Sequence, residues 1–62
     1  MVNRQKILIV DDDMDLSMLI QDMLEDRGYD STLAGSLDEA YRLLEKEQFY
    51  LILLNFPVLL DI

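Results

Sequence analysis

Two stretches of this chain are apolar without interruption, and each ends in a polar side chain. Ile7-Leu8-Ile9-Val10 runs into Asp11-Asp12-Asp13, and Tyr50-Leu51-Ile52-Leu53-Leu54 runs into Asn55. An unbroken apolar run, as opposed to an alternating one, suits a strand covered on both faces, as inside a parallel sheet. Between the two, Leu16, Leu19, Ile20, Met23 and Leu24 recur at i, i+3, i+4, i+7 and i+8, while Asp15, Ser17, Gln21, Asp22 and Glu25 take the other positions. That spacing predicts an amphipathic helix. Met14 and Met18 widen its apolar stripe as packing residues, and Gly28 supplies the permissive backbone that ends it near Arg27. Tyr29 to Ala34 reads as a short second strand, followed by the turn-compatible pair Gly35 and Ser36. Ser36-Leu37-Asp38-Glu39 fits a capping box, in which the serine oxygen and the glutamate each reach for a backbone donor at a helix start. The second helix should bury Leu37, Ala40, Tyr41 and Leu44, turn Arg42, Glu45 and Lys46 to water, and end around Glu47. Tyr50 to Asn55 is the third strand.

Strand, helix, strand, helix, strand with short links implies parallel strands joined by crossovers. Helices on opposite faces give the strand order 2-1-3, half of a doubly wound sheet with the first strand central. Ligands of such sheets sit beyond the carboxyl ends of the strands, which is where Asp11, Asp12 and Asn55 are expected to converge. Carboxylates so close together repel, so they hold protons, stay solvated or gather a cation. Oxygen ligands favour Mg²⁺ or Ca²⁺. The plainer alternative is that one aspartate caps the following helix, a role that suits Asp13, while the others are solvated and Asn55 merely ends a strand.

Composition narrows the chemistry. With 62 residues the chain is one domain at most, and a domain of this size buries only roughly 60% of the surface its unfolded chain exposes. Cysteine and histidine are absent, so disulfides, thiolate or imidazole chemistry and the usual zinc sites are excluded. A formal charge of -8, from 13 acidic against 5 basic residues, disfavours nucleic acid and anionic membrane surfaces as direct partners. The apolar block from Phe49 to Leu60 is interrupted by Asn55 and Pro57 and falls well short of the ~20 residues a membrane span requires. The four apolar residues before the aspartates are too few for a secretory signal. A cytoplasmic location is expected.

Ile7-Leu8-Ile9-Val10-Asp11-Asp12-Asp13, Leu24-Glu25-Asp26-Arg27-Gly28-Tyr29, Ala34-Gly35-Ser36-Leu37-Asp38-Glu39-Ala40 and Leu51-Ile52-Leu53-Leu54-Asn55 together resemble, in order and spacing, the receiver domain of bacterial two-component response regulators. The resemblance covers residues 6–55 and implies a flavodoxin-like fold. In that family an acidic pair after the first strand binds Mg²⁺, and an aspartate ending the third strand receives a phosphoryl group from a histidine kinase. Carried over, Asp12 would be a direct metal ligand, Asp11 a water-mediated one, and Asn55 would stand at the phosphoacceptor position. An amide cannot act as the anionic nucleophile of phosphoryl transfer, and its neutrality would leave Mg²⁺ binding weak.

The pattern departs again after Asn55, where Pro57 comes two residues on instead of the family's usual four. The sequence also ends at Ile62, about half the family's length, without the later strands that carry the switch hydroxyl and the phosphate-pairing lysine. The expectation is therefore a truncated receiver-like domain over residues 1–62 with a divergent tail at 56–62. It would not be an enzyme, and it would act in phosphorelay signalling by binding a histidine kinase, a phosphotransferase or another response regulator. Its sheet should be completed by self-association along the third strand, with a contribution from Val58 to Ile62. Two other functions compete: a structural, self-assembling fragment with no phosphorelay role, and a Mg²⁺-dependent hydrolase built on the aspartates. A slipped alignment would instead make Asp61 the acceptor.

Overall fold

The computed structural model describes residues 4–55. Its elements are β1 (Lys6–Asp11), α1 (Met14–Asp26), β2 (Asp30–Ala34), α2 (Leu37–Lys46) and β3 (Leu51–Asn55). The three strands form one parallel sheet in the order β2-β1-β3, which is the predicted topology. The expectations placed on Pro57, Val58 to Ile62 and Asp61 fall outside the described residues.

Parallel pairing of consecutive strands requires a crossover, and each helix here is that crossover. β1 is central, pairing Lys6 through Val10 with Asp30 through Ala34 on one side, and Ile7 through Asp11 with Leu51 through Asn55 on the other. Two further backbone bonds extend the ladders at their amino ends, from Asp30 to the Gln5 carbonyl (3.0 Å) and from Tyr50 to the Lys6 carbonyl (2.7 Å). Tyr50 therefore aligns with the sheet although it precedes β3.

Alternation along β1 divides the core. Leu8 and Val10 point to one face and cluster with Ala34 and Ala40, sealed by Leu43 and Phe49, which places α2 there. Ile7 and Ile9 point to the opposite face, where α1 packs on β1 and β2. Ile7, Leu8, Ile9 and Val10 are each at most 2% exposed, so each supplies roughly 1.5–3 kcal/mol of transfer free energy.

The helix ends follow the sequence closely. Asp13 is the N-cap of α1, its Oδ1 accepting from the Leu16 N–H at 3.2 Å. Gly28, at φ +89°, takes the left-handed conformation that closes α1, and its N–H donates to the Glu25 carbonyl at 3.0 Å. Ser36 caps α2 by accepting from the Glu39 N–H at 3.2 Å. The reciprocal half of the expected capping box differs: Glu39 Oε2 accepts from the Gly35 N–H at 3.4 Å, one residue outside the cap.

The helix faces need correction. On α1 the inward residues are Ser17, Ile20, Gln21 and Leu24, while Leu16, Leu19 and Met23 of the expected stripe are exposed. Gln21 faces the sheet because its Nε2 donates to the Ser31 carbonyl of β2 at 3.1 Å. On α2 the sheet is met by Ala40 and Leu43, and Leu37, Tyr41 and Leu44 are exposed. The reason is common to both. Each helix lies over β1 and β2, and among the described residues neither lies against β3, so a wide apolar stripe meets a narrow support.

Candidate functional site at the carboxyl rim of the sheet

β1 and β3 run parallel and in register, so their last residues are opposite one another: Asp11 pairs with Asn55. The convergence expected from sequence is therefore present between residues 44 positions apart. Asp11 is 2% exposed. A carboxylate so enclosed requires partners, and both of its oxygens have one. Oδ1 accepts from the Asp13 backbone N–H at 2.9 Å, and Oδ2 accepts from Asn55 Nδ2 at 2.8 Å.

These contacts form a chain. Asn55 on β3 donates to Asp11 on β1, Asp11 fixes the backbone of Asp13, and Asp13 caps α1. The Asp13 carbonyl also accepts from the Ser17 N–H at 3.0 Å, beginning the helix ladder. The site thus ties three elements together in the space of three side chains.

Electrostatics agree with the geometry. The Asp11 carboxyl is held below its usual range, first by the Asp13 backbone N–H and then by the Asn55 amide, with lesser help from Asp12 and against the opposing effect of burial. Hydrogen bonds to the ionised form favour it. Asp11 is therefore a stable, fully bonded anion, poorly suited to holding a proton for acid–base work near neutrality.

Asp12, expected to be the direct metal ligand, is exposed on the turn between β1 and α1. Among the described residues no three acidic side chains gather as a metal cage. With Asp11 engaged at both oxygens, Asp13 capping a helix and Asn55 presenting an amide donor, these residues fit a divalent cation poorly. The sequence reading placed Asp11, Asp12 and Asn55 at one rim but missed the backbone of Asp13 as the second support of Asp11. An aspartate accepting from the N–H two residues on is a common local turn, and its position just before a helix cap was the available signal.

A separate cleft of about 340 Å³ lies at the opposite rim of the sheet, lined by Arg4, Gln5, Lys6, Gln48, Phe49 and Tyr50. Its two cations are already paired, Arg4 with Asp30 at 3.7 Å and Lys6 with Glu47 at 3.1 Å. It is remote from the carboxylates and contributes nothing to them. No known family model matches the chain, and no solved structure matches it. Among the described residues no helix is long and apolar enough to cross a membrane.

Proposed function

We propose that this chain is a receiver-type module of two-component signalling which does not accept a phosphoryl group and acts by binding other proteins. The reading rests on one observation: the residue ending β3, opposite the buried acid that ends β1, is Asn55. Formation of an acyl phosphate requires a carboxylate oxygen to attack phosphorus, and the Asn55 amide supplies no anionic nucleophile there. Asp11 does not substitute for it, being enclosed and bonded at both oxygens. Incubation with a small-molecule phosphodonor or a panel of autophosphorylated histidine kinases, followed by intact mass measurement, is expected to leave the chain unmodified. Gain of one phosphoryl group would overturn the reading.

The binding surface of this module is the outer side of β3, which no strand covers among the described residues. Leu51, Ile52 and Leu54 are 44–57% exposed, and the strand carries no charged residue to discourage pairing. The partner is a second copy of the chain, which completes the sheet edge to edge. Association is expected in sedimentation velocity at micromolar concentration, and Ile52→Lys should abolish it. A wild-type chain that stays monomeric while folded would remove this part of the proposal. The exposed α1 residues Leu16, Leu19 and Met23 form a second apolar surface, suited to a kinase, a phosphotransferase or another regulator.

A further inference from the structure

We propose that Asn55 takes the place of a cation, so that the buried carboxylate at the rim of this sheet is held by an internal amide donor and folding is independent of divalent metal. The Nδ2 group stands 2.8 Å from Asp11 Oδ2, a distance at which a second carboxylate would place like charges in contact. With aspartate there, the rim would repel itself until a cation entered. With asparagine, a neutral donor fills the same space and satisfies the same oxygen. The remaining oxygen is held by the Asp13 N–H at 2.9 Å, and Asp12 stays exposed to solvent. Asp11 is therefore enclosed without needing a counter-ion.

The arrangement also makes Asn55 a positioning residue for α1. Its hydrogen bond fixes the Asp11 carboxylate, whose other oxygen sets the backbone of Asp13, whose side chain in turn caps the helix. A metal-free link thus runs from the third strand to the start of the first helix. This inference stands on the geometry alone and does not depend on the signalling role proposed above.

Thermal unfolding of the full chain, with chelator and in about 10 mM Mg²⁺, tests it when three proteins are compared: wild type, Asn55→Asp and Asn55→Ala. The wild-type midpoint should be the same under both conditions. Asn55→Asp should melt lower in chelator and recover by about 4 °C or more in Mg²⁺, as ligand linkage predicts for a newly created site of about millimolar affinity. Asn55→Ala should melt lower and show no recovery, because it loses the donor and gains no ligand. A second measurement remains informative if the variants do not fold: titration of wild-type chain with Mg²⁺, followed by amide NMR, should leave the Asp11, Asp12 and Asp13 resonances in place. Saturable Mg²⁺-dependent movement of those resonances, a wild-type midpoint that rises with Mg²⁺, or an Asn55→Asp protein as stable as wild type in chelator would each overturn the inference.

Discussion

β1 and β3 are close to interchangeable as sequences and opposite in circumstance. Ile7-Leu8-Ile9-Val10 has a strand on either side and a helix on either face, whereas among the described residues Leu51-Ile52-Leu53-Leu54 pairs with β1 alone and carries neither helix. The first run is essentially inaccessible, while three of the four residues of the second are exposed. Apolarity therefore reports what a segment can bury, and position in the sheet decides what it does bury. The core that holds this fold is concentrated on β1 and β2, and β3 is attached by its ladder and by the Asn55–Asp11 bond at its end.

The contrast should be sharpest in large-to-small substitutions. Leu8→Ala removes a side chain with no exposure and should cost about 2–5 kcal/mol. A single core in a domain this size supplies only about 3–5 kcal/mol, so the variant should be largely unfolded by circular dichroism at 25 °C. The matched change Leu54→Ala on the exposed strand should cost less than about 1 kcal/mol by urea titration. Equal losses at the two positions would mean that β3 is covered in solution.

Next in size is the bond that joins the two strands. Asp11→Asn retains one acceptor oxygen and turns the other position into a donor facing Asn55 or the Asp13 N–H. It should lower the urea midpoint, because an enclosed polar group is left unsatisfied. The same residue sets an acid limit. Because the folded carboxyl titrates below its ordinary value, its contribution is complete above that value and is lost as pH falls through the lowered one. Wild-type stability should therefore fall below about pH 4, and the decline should be shallower in Asp11→Asn when midpoints are compared across pH.

A small effect of opposite sign lies on the covered side. Ser17 is fully buried on the inward face of α1, and among the described residues its hydroxyl finds no hydrogen-bond partner. Ser17→Ala removes that unmet group and favours the helix, so a gain of about 0.5–1.5 kcal/mol is expected in urea titration. A loss would show that the hydroxyl is satisfied by solvent.

The strands, the helices and their caps were legible in the sequence because they depend on local rules: unbroken apolar runs, helical spacing, Asp13 and Ser36 as caps, Gly28 as a stop; the 2-1-3 order followed from placing the two crossover helices on opposite faces. The meeting of Asp11 and Asn55 was legible because parallel strands beside one another must end at one rim. The rotation of the helices was not. Ser17 and Gln21 read as outward residues, and only the carbonyl of Ser31, exposed to α1 by the sheet, explains why Gln21 turns inward. Leu37, Tyr41 and Leu44 read as buried because helical spacing identifies an apolar stripe without giving the width of the surface beneath it. The partners of Asp11 were not legible for a related reason: a sequence names the carboxylates but not the neutral donors that engage them.

Every hydrogen-bonded ladder in this sheet joins segments separated by a helix, and that governs the order of events as the polypeptide leaves the ribosome. The central strand emerges before both of its partners, gains a neighbour only when Asp30 to Ala34 follow, and keeps its other flank open until Leu51 to Asn55 have been made. Such distant pairings close late and slowly. The strand's most water-averse residues thus remain unsheltered until both partners have been made, an interval in which chaperone capture would compete directly with productive closure.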